Sequence, residues 1–165
     1  MHQTTISLIL ASIALIIALM AYFNKNAATD PATPTDISVK PLQLQAYERL
    51  VILTERIALP NLISRLSQPN FSAREMQVML IETIKQEFEY NASQQIYVSP
   101  QAWDAVRNLR DQNMLIINTI AKTLPANATA SDLNRQLIEL MMREEKEALH
   151  TYVANTLNVE AKKIM

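Results

Sequence analysis

At 165 residues the chain has room for one domain plus a short accessory segment. Its 15 Lys and Arg against 16 Asp and Glu exclude the cation excess by which nucleic-acid binders displace counterions, and the lack of cysteine excludes disulfides and thiolate metal sites. Glycine is absent too, which removes the Gly-rich phosphate loops and most two-residue β-hairpins and leaves an all-α chain as the expectation.

The first predicted element is Ile6–Phe23, ISLILASIALIIALMAYF, which carries no charged residue. As a helix these residues reach about 27 Å, close to the hydrocarbon thickness of a bilayer. Tyr22 and Phe23 fall where interfacial aromatics sit. A cleaved signal peptide is the rival reading, but it wants Lys or Arg ahead of the apolar run, and only His2 precedes this one. Residues 1–23 are therefore expected to form a transmembrane anchor in contact with the membrane lipid bilayer. Lys25 follows the span and no Lys or Arg precedes it, so the positive-inside rule favours a cytoplasmic C-terminal domain.

Residues 24–40 contain NAATDPATPTD, without an apolar run, and read as an extended tether. Residues 41–165 are then the helical domain. Pro41 suits a first helical turn, and Leu42, Ala46, Leu50, Leu53 and Ile57 follow at helical spacing. Pro60 ends or kinks that helix, and LPNLISRL makes a short second one. Ser72 and Glu75 form a capping box flanked by Phe71 and Met76 at staple positions. The helix they open carries Met76, Leu80, Ile84 and Phe88, widened by Met79 and Ile81, so it is expected to be central and to run to about Gln94.

Ser99-Pro100 repeats the grammar of an N-cap before proline and opens a fourth helix that Pro125 closes. A last helix starts near Ser131, carrying Leu133, Leu137, Met141, Leu149, Tyr152, Val153 and Leu157 across a charged stretch, Arg143 to Glu147. Three long and two shorter helices make a compact bundle of about five.

Candidate chemistry is sparse. Glu147 and His150 form one Glu-x-x-His unit, but carboxylate-bridged di-iron bundles need two, and His150 is the domain's one histidine. Lys85, Glu87 and Glu89 around Phe88 read as ordinary amphipathicity. Three glycosylation sequons, at Asn70, Asn91 and Asn127, are coincidences in a cytoplasmic domain. No catalytic residue, metal or cofactor is implied, and the chain is not expected to be an enzyme.

The densest cluster of aromatics and amides is QEFEYNASQQIYVSPQAW, residues 86–103. Tyr90, Gln94, Gln95, Tyr97 and Trp103 are the candidate interaction surface, because Trp and Tyr anchor interfaces. The plainer alternative is an interhelical corner in which Phe88 and Trp103 fill the core. Trp103 is expected buried and Tyr97 part-exposed.

Taken with LQLQAYERLVILTERI and the apolar anchor, this stretch resembles a bacterial family of small single-span membrane proteins with no assigned function. The resemblance runs from Leu42 to about Leu124 and is most specific around Tyr97 and Trp103. It implies a bacterial source and an inner-membrane location, and it carries over no catalytic residues. The expected role is a membrane-tethered helical adaptor or assembly factor, binding an unknown protein or a second copy of itself and no nucleic acid. The alternative is an accessory subunit of a larger membrane complex, and an enzyme of unrecognised type comes third.

Overall fold

A computed structural model describes residues 38–143 and 149–165. The expected anchor (1–23) and nearly all of the tether (24–40) lie outside these residues. Among the described residues no helix is long and apolar enough to cross a membrane. Residues Val39–Met165 form one compact unit.

Six α-helices and one 3-10 turn occur among the described residues: α1 (Lys40–Ile57), α2 (Leu59–Leu66), α3 (Ala73–Tyr90), the 3-10 turn Ala92–Ile96, α4 (Pro100–Thr123), α5 (Ala130–Arg143) and α6 (Leu149–Ile164). α1 packs chiefly on α6 and also meets α2, α3 and α4; α3 packs on α1, α2, α4 and α5. The expected central helix therefore shares the centre with α1. Their interlocked stripes, Leu50, Leu53 and Ile57 against Met76, Leu80 and Ile84, are closed off by Leu109, Ile117, Leu133, Leu137 and Leu157. Leu42, Leu149 and Tyr152, expected on apolar stripes, are exposed instead.

Helix starts follow the local grammar. The Ser72 hydroxyl accepts the Glu75 N–H at 3.2 Å, and the Glu75 carboxylate accepts the Ser72 N–H at 2.8 Å. That donated N–H holds the Glu75 carboxyl below its usual value. Ser99 caps α4 by accepting the Ala102 N–H. A second reciprocal cap opens α5, where Thr129 and Asp132 exchange the same pair of bonds. The two boxed starts are joined by a short antiparallel bridge, with Ala73 N–H donating to Ala128 O and Ala130 N–H to Phe71 O, both at 2.9 Å. Two orphan N-terminal turns thus satisfy part of each other.

Helix ends show what a chain without glycine does. No described residue has positive φ, so left-handed caps are absent among them. The capping residues Ala58, Ser67 and Leu124 turn extended instead, each with proline one or two positions on. The freed carbonyls of α1 go to side chains: Asn61 Nδ2 donates to Glu55 O (3.0 Å), an Arg65 guanidinium N–H to Arg56 O (3.3 Å) and Asn113 Nδ2 to Ile57 O (2.8 Å). At α3, Asn91 Nδ2 donates to Glu87 O and the Asn91 N–H bonds back to Phe88 O. The α-helix therefore stops at Tyr90, short of the expected Gln94, and tightens into the 3-10 turn.

The expected last helix is described in two parts, α5 and α6, and residues 144–148 between them lie outside the described residues. α5 buries Leu133 and Leu137 against α3 and α4, whereas α6 buries Val153 and Leu157 against α1 and α4. Among the described residues there are thus six helices where about five were expected.

Candidate functional site

Of the aromatics that the sequence singles out, Tyr90 stands out by exposure. It ends α3 with three-quarters of its surface open (75%), and the guanidinium of Arg49 from α1 lies over its ring at 5.2 Å. Trp103 is half-buried, not enclosed, because α4 brings it to the rim of the core against Phe88, with ring centroids 5.0 Å apart. Phe88 is closed on another side by Arg110, 4.1 Å from its centroid. Tyr97 is also half-buried, just after the 3-10 turn, its N–H bonded to Gln94 O. Gln95 is exposed. Gln94 is buried (7%) with its amide on Ser93 Oγ, so it braces the turn and is not part of a surface. The 86–103 stretch is therefore divided: Phe88, Asn91 and Gln94 face inward, Trp103 and Tyr97 sit at the boundary, and Tyr90, Gln95 and Ile96 face out.

Tyr90 does not stand alone. It lines a groove of about 620 Å³ between α1 and α3, together with Arg49, Ile52, Arg56, Gln86 and Glu87. Ile52 is half-exposed (51%) and supplies an apolar floor between two arginines. Glu87 forms an ion pair with Arg56 and lies 3.7 Å from Arg65. It therefore ties α3 to α1 and α2, a more specific task than the solvated amphipathic face expected of it. Lys85 turns away to Glu82 at 2.8 Å.

Arg49, Ile52 and Arg56 are absent from the expected surface although a signal existed. They follow one another at i, i+3 and i+7, off the stripe of Ala46, Leu50, Leu53 and Ile57, so Ile52 is an apolar residue on a polar face. A second groove of about 590 Å³ runs between α1 and α6 past Leu44, Val51 and Met165, and Ile52 lines it as well.

A different polar cluster fastens that side of the bundle. Tyr47 (α1) is buried and donates its hydroxyl proton to Glu160 Oε2 (α6) at 2.8 Å, while the Ser99 N–H donates to Tyr47 Oη at 3.2 Å. The Ser99 hydroxyl donates to the same carboxylate oxygen. Burial holds the Tyr47 hydroxyl above the usual tyrosine value; the Ser99 N–H pulls it down and Glu160 pushes it further up. Every polar atom in this cluster that faces inward has a partner, so it reads as a fastening.

Among the described residues no three His, Asp or Glu side chains gather to hold a metal ion. Glu147 lies outside the described residues, and half-buried His150 has Nε2 3.4 Å from Thr151 Oγ1. No curated protein and no solved structure matches the chain. Residues 1–164 match the family described as Family of unknown function (DUF7935), and the chain belongs to that family.

Proposed function

We propose that the chain is a membrane-tethered helical adaptor or assembly factor that works through protein–protein contact. In this reading residues 1–23 form a single transmembrane anchor in a bacterial inner membrane, residues 24–40 are the tether, and the helical unit presents a docking face to the cytoplasm. The observation that supports it is Tyr90. A large, mostly exposed aromatic with an arginine over its ring, beside an exposed isoleucine in a groove, has the make-up of an interface anchor. A side chain kept only for packing would have its ring covered.

The test is site-specific photo-crosslinking in intact membranes, with the crosslinking residue at Gln86, which lines the groove. The expected result is one dominant protein adduct in the membrane fraction, lost in Tyr90→Ala. Recovery of the chain in the soluble fraction would remove the anchor from the reading. Adducts indifferent to Tyr90→Ala would remove the docking face. Stoichiometric co-purification with several other membrane subunits would favour the accessory-subunit alternative.

A further inference from the structure

The groove between α1 and α3 has a charge as well as a shape, and the charge names the chemistry of its occupant. Two guanidiniums line it, Arg49 and Arg56, against one carboxylate, Glu87. That carboxylate is already engaged by Arg56 and approached by Arg65. Arg49 forms no ion pair among the described residues, and its guanidinium lies over the ring of Tyr90. A guanidinium over an aromatic face is attracted to the ring through its charge and keeps N–H groups with which to donate to a carboxylate. The whole chain has a formal charge of −1, so this positive groove is a local departure from its surroundings.

We propose that the groove binds a peptide segment of a partner protein in which an apolar side chain is followed, within about one helical turn, by Asp or Glu. The apolar side chain rests on Ile52 and the ring of Tyr90, and the carboxylate accepts a charge-assisted hydrogen bond from the guanidinium of Arg49. The inference rests on the docking reading above and adds to it the chemistry of the partner. A membrane surface fits the groove less well. Attraction to anionic lipid takes a cluster of about four to eight basic residues, and here one uncommitted cation sits in a recess. Nucleic acid fails for the same reason, since affinity there grows with the number of phosphates neutralised.

The test is selection from a random twelve-residue phage-displayed peptide library on the full-length chain, held in phosphatidylcholine nanodiscs, followed by titration of the selected peptides as fluorescent probes. The expected result is a consensus pairing Leu, Ile or Phe with Asp or Glu. Arg49→Gln should weaken those peptides about tenfold or more, and Arg49→Lys less, because it keeps the charge and loses the fork. Rising salt should weaken binding to the wild type and hardly alter binding to Arg49→Gln. Arg135→Gln, remote on α5 and paired there with Asp132, should leave binding unchanged and serves as the charge control. Thermal melts of the variants check that each is folded.

A consensus without acidic residues, or acidic peptides indifferent to Arg49→Gln in the folded variant, overturns the proposal. If such a consensus is still lost in Tyr90→Ala, the docking face survives and only its acid preference fails. If no peptide is enriched, both fail. If Arg49→Gln instead lowers retention on phosphatidylglycerol vesicles relative to phosphatidylcholine vesicles, the cation serves a lipid surface and the proposal fails.

Discussion

Tyr47 on α1 and Tyr90 on α3 are the same side chain put to opposite uses. Around Tyr47, α1, the start of α4 and α6 converge; its ring is covered and its hydroxyl both donates to Glu160 and accepts from Ser99. Around Tyr90 only the groove and one arginine remain, and most of the ring faces out. An aromatic whose polar tip and apolar body are both satisfied inside the fold contributes stability. One whose body is left open contributes little to the folded state and retains its apolar surface for another molecule. The contrast shows where to look for function in this bundle: at the incomplete contact, not at the polar cluster with the most hydrogen bonds.

The largest expected effect is the loss of Tyr47. Tyr47→Ala removes a buried ring and leaves Glu160 and Ser99 without their shared partner, and should cost about 3–5 kcal/mol in denaturant melts of residues 39–165. Tyr90→Ala in the same melt should change stability by no more than about 0.5 kcal/mol. Equal costs would erase the distinction.

Trp103→Ala falls between the two. Its ring packs on Phe88 but is only half-buried, so the expected cost is about 2 kcal/mol, below the range for a fully enclosed tryptophan. If partner binding falls by more than this loss of folding explains, the docking face extends from Tyr90 to Trp103.

The next effect is at the helix starts. Ser72→Ala removes the acceptor for the Glu75 N–H and should cost about 1 kcal/mol. Glu75→Ala should cost less, and the double variant less than the sum, since both residues belong to one box. Strict additivity would mean that the two caps act independently. Because the Glu75 carboxyl is held below its usual value, its contribution is present above that value and is lost as pH falls through the lowered one. Glu75→Gln should therefore flatten the acid limb of the stability curve.

The smallest effect is at alkaline pH. The Tyr47 hydroxyl lies above the ordinary tyrosine value of 10.0, so its contribution is complete below that value and is lost as pH rises through the raised one. Tyr47→Phe should remove this alkaline loss. Tyr90→Phe should leave it in place, and an alkaline limb unchanged by Tyr47→Phe would assign it elsewhere.

Much of the fold was legible in the sequence because its signals are local. Pro41, the Ser72–Glu75 box, Ser99-Pro100 and Pro125 act within a turn of themselves, and the helices begin and end beside them. The missing glycines announced a helical chain. The structure adds that the described helix ends have no left-handed caps, and Asn61, Arg65, Asn113 and Asn91 take up freed carbonyls there instead. The expected family without an assigned function agrees with the family match. The candidate surface was legible only in part. Tyr90 and Gln95 are outside, but Gln94 is turned in because a 3-10 turn replaces the last turn of the expected helix, and Trp103, expected buried, stops at the rim where α4 places it.

Composition and spacing by themselves determined that this chain is helical and where most of its helices start, since caps and prolines act through backbone atoms a few residues away. Only the tertiary structure decided that Glu87 ties α3 to α1 and α2, and that Arg49 and Ile52 meet Tyr90 across a groove. Arg49 and Tyr90 stand 41 residues apart, and nothing in the neighbourhood of either names the other. Their meeting follows from how the stripes of α1 and α3 interlock, and that is settled by side-chain volume at every buried position at once.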